Sequence, residues 1–393
     1  MSSTAPPSTH RLDHLDAVRG LAAIAVVCTH YTSAYGVPYT PWLLMSTPLR
    51  AWFDGLSAVS LFFVLSGLVL SIRHFRDTPH PRLVGFDYVG FLIGRACRIG
   101  LPYWAVLALS AGLWHLSAVN IHGGPPVTPW TSNLWRDAPT VAGVIRQANL
   151  LSLATHFSLV PQAWTLAIEV ILSALVPVAV LVAARGTGWL LGATAVACLM
   201  GGLNEYALHF AVGVALAKHY RAAVAWLEPR SAARAGLAVA GWVAYTWRDL
   251  AVSRGGLHLG HVDDYASGLG AAILLMTGSA SPGLRRWLAQ GITHRIGRAS
   301  YSLYLSHFLV LLCLSPRLMA FLTRHLHVWV ATWGVGLVVT IATSVALAEV
   351  VYWTVEVPSM AIGKRAATAV ASLWARPPER TVRLATRRPH ATS

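Results

Sequence analysis

Charge is what this chain has least of. Only 11% of its 393 residues are Asp, Glu, Lys or Arg, where a soluble globular chain carries about 25%. With 55% hydrophobic residues and a mean hydropathy of +0.55, that shortage excludes an ordinary water-soluble domain and places the chain in the membrane class. Acidic residues are scarcer than basic ones, 15 against 30, so the formal net charge is +15. Lysine is nearly missing, with 2 against 28 arginines, a bias of GC-rich bacterial genomes. No zinc-finger, basic-zipper or RNA-binding signature accompanies the positive charge, which excludes nucleic acid as a partner and leaves cytoplasmic loops facing anionic lipid as its explanation.

Cysteine is also sparse. Cys28, Cys97, Cys198 and Cys313 form no CxxC pair and sit in or beside apolar stretches, where they read as small buried hydrophobes and neither as disulfides nor as metal ligands. No metal site is expected. His258, His261, Asp263 and Asp264 cluster in "GLHLGHVDDYASG", but as a solvated loop or an acceptor-recognition rim. Walker A, GxSxG and HExxH motifs are missing, which removes an ATP-driven pump, a serine hydrolase and a zinc protease. The first apolar run carries His30 and is followed by no clear small-x-small cleavage site, so it is not a secretory signal.

Long apolar runs are what the chain does have. About 20 apolar residues cross the hydrocarbon as a helix, and ten such segments occur, at 15–35, 52–72, 94–116, 162–184, 187–203, 204–220, 232–248, 262–280, 297–315 and 328–353. A cytoplasmic N-terminus and ten crossings put seven arginines outside (Arg50, Arg136, Arg146, Arg248, Arg254, Arg317, Arg324) and 23 of the 30 basic residues inside or at inner helix ends. This is the positive-inside bias. The expected fold is therefore an all-α integral membrane protein of about ten transmembrane helices with both termini cytoplasmic. Residues 1–11 read as a disordered leader, 12–362 as one transmembrane domain and 363–393 as a basic, disordered tail. Glu356, just before Val357-Pro358, marks the expected end of the tenth helix.

Polar residues inside the apolar segments point to function, because an ionisable group there costs about 3 kcal/mol unless it meets protein or water. Arg19 and His30 are eleven residues apart, close to three helical turns, so they share one face about 16 Å apart along the axis. Arg95 and Arg98, at i and i+3, can grip phosphates. Glu169 lies deep in its segment and requires a proton, an arginine or a hydrogen bond to His30. Ser66 and Gly67 form a small-residue notch of the kind at which helices pack. Tyr301, Tyr304 and His307 recur every three residues on one face, as an aromatic belt or as acceptor-facing polar groups. Buried Arg, His and Glu are also what a proton-coupled transporter or flippase would show, the alternative to an enzyme, although no inverted repeat is evident.

Taken in order, these stretches resemble the membrane-bound acyltransferase-3 family of integral-membrane O-acyltransferases. "LDAVRGLAAIAVVCTH" is similar to the family's opening Arg–His helix, and "LFFVLSGLVLS" to its Phe-Phe-x-x-Ser-Gly helix. "RACRIGLPYW" resembles its Arg-x-x-Arg segment, "AWTLAIEV" its Trp-Ser-Leu-x-x-Glu segment, "IGRASYSLYLSHF" its Ser-Tyr-x-x-Tyr-Leu-x-His segment, and "VEVP" its closing Glu-x-Pro. The resemblance runs from about 12 to 358. Thr165 stands where Ser is commoner, and the esterase-like domain appended in larger relatives is not expected here.

The resemblance implies a multi-pass enzyme of the bacterial cytoplasmic membrane with no permanently bound cofactor. It would move an acyl group, often acetyl, from acyl-CoA to a hydroxyl of a sugar, an envelope glycan or a macrolide-like metabolite. His30 is then the expected general base, with Glu169 orienting or charge-balancing it and Arg19 on the same face. Arg95, Arg98 and Arg19 would hold the donor's phosphates, while Ser66 and Gly67 let its arm pass or face the developing oxyanion.

Overall fold

The computed structural model describes residues 12–37, 47–79, 81, 83, 87–117, 127–152, 156–248 and 261–374. The expected leader 1–11, His258 and residues 375–393 lie outside them, as does the side chain of His261. Among the described residues the chain is all helix, without a strand. The helices are α1 (Asp13–Tyr35), α2 (Gly55–Ser71), α3 (Tyr88–Leu113), α4 (Val141–Ala148), α5 (Ala163–Ala174), α6 (Val176–Arg185), α7 (Thr187–Leu199) and α8 (Glu205–Leu227). They continue with α9 (Ser231–Tyr245), α10 (His261–Ser279), α11 (Pro282–Leu288), α12 (Gly291–Arg298), α13 (Ser300–Leu309), α14 (Ser315–His325), α15 (Trp329–Val351) and α16 (Val357–Trp374). Each of the ten apolar segments forms helix.

Among the described residues, three stretches suffice by length and composition to cross a membrane: Tyr88–Leu116, Ser300–His325 and Trp329–Leu373. A fourth results if α5 and α6, bent by 56° at their junction, count as one span. The others fall short for physical reasons. α1 carries Asp13, Asp16 and Arg19 in its first turns, and α8 carries Glu205, Lys218 and Arg221. The 17 residues of α2 rise only about 26 Å.

Proline punctuates the long helices without ending them. Pro316 and Pro358 each follow a π-helical turn, at Val310–Leu314 and Tyr352–Glu356. A proline within a helix lacks an N–H and presses on the carbonyl four residues back, and the wider π turn makes room for it. This corrects the expected stop at Glu356: the helix widens, passes Pro358 and runs to Trp374, so residues 363–374 are helical and not a disordered tail. Pro177, in the first turn of α6, has the other effect and breaks the α5–α6 pair.

α1 is the axis of the bundle, packed against α2, α12, α13 and α15. Its crossing with α12 is a glycine contact, because a Cβ on Gly20 would lie 2.7 Å from the Gly297 nitrogen. α2 meets α8 in the same way. A Cβ on Gly67 would strike the Phe210 carbonyl, and one on Gly213 the Val64 carbonyl. Gly67 is therefore a packing glycine between helices, and it is not among the residues that line the cavity described below. Asp54 and Asp87 start α2 and α3 by accepting the Ser57 and Gly90 amides at 2.9 and 2.8 Å, the N-cap role in which a short carboxylate satisfies an orphan N–H.

Candidate functional site

α1, α2, α3, α5, α12, α13, the π turn before α16 and the start of α16 enclose a cavity of about 320 Å³. Among the described residues four guanidiniums line it, from Arg19, Arg95, Arg98 and Arg298, against three carboxylates, Asp16, Glu169 and Glu356. Arg19 Nη1 donates to Asp16 Oδ1 at 2.7 Å, one turn back on the same helix. Arg95 Nη2 donates to Glu169 Oε1 at 2.8 Å and to Ser173 Oγ at 2.9 Å, while Ser66 Oγ reaches the same Glu169 oxygen at 3.4 Å. Glu356, only 1% exposed, accepts from Ser302 Oγ at 2.6 Å. Arg298 lies within 3.9 Å of Glu349 and over the Tyr352 and Trp353 rings. Arg98 is exposed and makes no ion pair among the described residues. The Nε atoms of Arg95 and Arg298 are buried without a hydrogen-bond partner among those residues. Arginines outnumber carboxylates, and spare N–H groups remain, which suits the cavity to an anionic group with several oxygens.

Tyr304 and Phe62 line the cavity and pack edge to face, with ring centroids 5.5 Å apart. Tyr301 lines it too, its hydroxyl tied to the Ile99 carbonyl at 2.7 Å. Thr165 Oγ1 donates to the Gln162 carbonyl at 2.9 Å, which leaves its lone pair to receive the Tyr304 hydroxyl at 2.8 Å. Threonine in place of serine thus keeps the hydroxyl that holds this tyrosine.

One turn beyond Tyr304, His307 meets His30. His30 Nδ1 and His307 Nε2 are 2.8 Å apart, and the rings are nearly coplanar in direction, with an interplanar angle of 2°. Phe308 packs on the pair, and Trp130 stacks on the far face of His30 at 5.7 Å. Trp130 is held there because Thr128 hydrogen-bonds the end of α1, donating its hydroxyl to the Ser33 carbonyl and its amide to that of Ala34. His307 is 1% exposed, whereas His30 is only half-buried and Trp130 is 38% exposed.

The family model described as "Acyltransferase domain", acyltransferase-3, matches residues 12–349, most of the chain. The chain belongs to the acyltransferase-3 family. Among curated proteins and solved structures nothing matches it.

In this membrane acyltransferase the structure brings together Arg19, Ser66, Arg95, Arg98, Glu169, Tyr301 and Tyr304 around one cavity, and His30 with His307 beyond it. The expected partnership of Glu169 with His30 is replaced. Glu169 is neutralised by Arg95 and hydrogen-bonded by Ser66, and the group that orients His30 is another imidazole. Of the alternatives open to a buried carboxylate, an arginine from a neighbouring helix was the nearest to hand.

Sequence reasoning missed the cavity roles of Asp16 and Arg298, although both sit inside motifs quoted above. It also missed Gln162, whose Nε2 donates to the Tyr304 and Leu305 carbonyls at 3.1 and 2.8 Å. Nothing in the pattern signals Trp130, which reaches the site from a short turn far from any motif. Asp264 is paired with Arg248 at 2.9 Å and Asp263 is buried, so neither behaves as part of a solvated loop.

Proposed function

We propose that this acyltransferase moves an acyl group, acetyl in the first instance, from acyl-CoA to a hydroxyl of a sugar, an envelope glycan or a macrolide-like metabolite. The observation that carries the proposal is the arginine-lined cavity ending on Tyr304, one turn from the His30–His307 pair. In this reading ten helices cross the bacterial cytoplasmic membrane with both termini inside, so the arginine end faces the cytoplasm, where acyl-CoA is found. Arg98 and Arg298 at the mouth, with Arg19 and Arg95 deeper, take the donor's phosphates as charge-assisted hydrogen bonds. The pantetheine arm runs past Ser66 towards Phe62 and Tyr304 and brings the thioester towards His30. The acceptor approaches from the Trp130 side, where that ring is 38% exposed.

The chemistry needs one base. His30 takes the proton of the acceptor hydroxyl as its oxygen attacks the thioester carbonyl. The C–O bond forms, the C–S bond breaks, and the imidazolium returns the proton to the departing thiolate. Direct transfer of this kind requires no covalent acyl-enzyme.

The test uses purified protein in nanodiscs with radiolabelled acetyl-CoA and a panel of glycan and macrolide acceptors, following thiol release. Loss of about 10²-fold or more in acceptor-dependent release by His30→Ala, with weaker donor binding by Arg98→Ala, supports the assignment. Release that survives His30→Ala removes His30 from the chemistry. Folded protein that binds no donor points to a transporter.

A further inference from the structure

We infer that His307 sets the tautomer of His30, so that the bare, basic nitrogen of His30 is Nε2. This rests on the reading of His30 as the general base and names the group that readies it.

His307 Nδ1 lies 2.8 Å from the Tyr304 carbonyl oxygen and 3.3 Å from that of Leu303. A carbonyl has no proton to give, so Nδ1 must be the donor, and a neutral His307 then has a bare Nε2. That nitrogen is the one 2.8 Å from His30 Nδ1. Between two nitrogens one must carry the hydrogen, so His30 Nδ1 donates and His30 Nε2 is left bare. Among the described residues Nε2 has no hydrogen-bond partner, and the ring is half-buried where that of His307 is closed off. The basic lone pair is therefore the one an acceptor hydroxyl can reach.

Turning either ring over does not rescue a different answer. A flipped His307 would aim C–H groups at both the carbonyls and His30, and a flipped His30 would set a carbon against Nε2 of His307. Each loses the hydrogen bonds that fix the network. Gln162 adds a brace, because its amide holds the Tyr304 carbonyl that His307 uses. The aromatic faces of Trp130 and Phe308 hold the His30 ring in plane.

The arrangement also serves the charged state. When His30 accepts a proton on Nε2, its Nδ1–H bond to the neutral His307 is retained and becomes charge-assisted, which strengthens it. While His30 keeps its hydrogen on Nδ1, a proton on His307 Nε2 would set two N–H groups against each other across 2.8 Å. His307 is in this sense a positioning residue: it touches no reacting atom and acts only through His30.

The test reads the tautomer directly. The full chain, with ¹⁵N-labelled histidine, is placed in nanodiscs near neutral pH, and the His30 signals are identified by their loss in His30→Ala. Protonated and bare ring nitrogens resonate far apart, so the spectrum shows which one carries hydrogen. The expected result is hydrogen on Nδ1 and a bare Nε2. Hydrogen found on Nε2 of wild-type His30 overturns the inference.

Kinetics add a second reading. His307→Leu is expected to lower kcat by about 10²-fold or more with KM for acetyl-CoA unchanged. His307→Gln, whose amide oxygen can stand in for Nε2 as acceptor, is expected to recover most of that loss. A His307→Leu enzyme with wild-type kcat overturns the positioning role. Transfer that persists in His30→Ala instead overturns the base assignment, while the tautomer is still judged by the spectrum, so the two failures are told apart.

Discussion

Replacing Glu169 by glutamine separates two readings of the same buried carboxylate. In the structure Glu169 neutralises Arg95 across 2.8 Å, with the two side chains only 25% and 16% exposed. Two unit charges about 4 Å apart at an effective dielectric near 20 attract by about 4 kcal/mol. Breaking a buried pair by removing one partner costs about 3–5 kcal/mol, because a charge is left without its counterpart. Glutamine keeps an acceptor for Arg95, Ser173 Oγ remains at 2.9 Å, and the guanidinium faces a cavity that water and ligand can enter. The expected cost therefore falls below that range, at about 2–3 kcal/mol.

The same change removes a negative charge from the cavity that is to hold phosphates. Donor affinity is expected to rise by about tenfold, which corresponds to about 1.4 kcal/mol. Stability falls and binding tightens, while kcat changes by less than about tenfold, since Glu169 does not touch His30. The assays are thermal unfolding in detergent, calorimetric titration with acetyl-CoA and steady-state thiol release. Unchanged stability together with a kcat lower by about 10²-fold or more would refute the pair reading and return Glu169 to the chemistry.

Three other outcomes follow from the same geometry. Arg98→Ala is expected to weaken acetyl-CoA binding by about tenfold, more at low salt than at high, with no loss of thermal stability, because Arg98 is exposed and makes no ion pair among the described residues; calorimetry at two ionic strengths checks it. Ser302→Ala leaves the buried Glu356 carboxylate one hydrogen bond short and is expected to cost about 1.5–3 kcal/mol in unfolding measurements, much of it recovered in Ser302→Ala/Glu356→Gln. Gly67→Val drives a side chain into the Phe210 carbonyl across the α2–α8 crossing and is expected to cost about 3 kcal/mol or more. Gly112→Ala, with open space around it, is expected to be neutral or to stabilise α3 by a few tenths to about 1 kcal/mol, and thermal unfolding of the two side by side checks the contrast.

The polar residues of the site stood out in the sequence because each is expensive in an apolar segment. Arg19, His30, Arg95, Arg98 and Glu169 were marked by that cost alone, and the ordered motifs around them resembled one family. Their partners were not marked in the same way. Glu169 was equally able to meet a proton, an arginine or His30, and the choice depended on α3 and α5 lying side by side. His307 was one member of an aromatic stripe until its ring was found against that of His30, 277 residues away in sequence. The Val357-Pro358 step read as a stop because proline usually is one; the π turn that admits it depends on local widening that residue type does not announce.

Composition, apolar run length and period are properties of neighbouring residues, so the sequence by itself determined that this is a helical membrane protein, where most of its helices lie and which side chains are too costly to be idle. Pairing is a property of distant ones. Only the tertiary structure decided that Arg95 neutralises Glu169, that His307 and not a carboxylate holds His30, and that Gly67 serves a helix crossing. Hydrogen bonds and ion pairs form between whatever groups the packing brings within about 3 Å, and packing is settled by the whole chain at once.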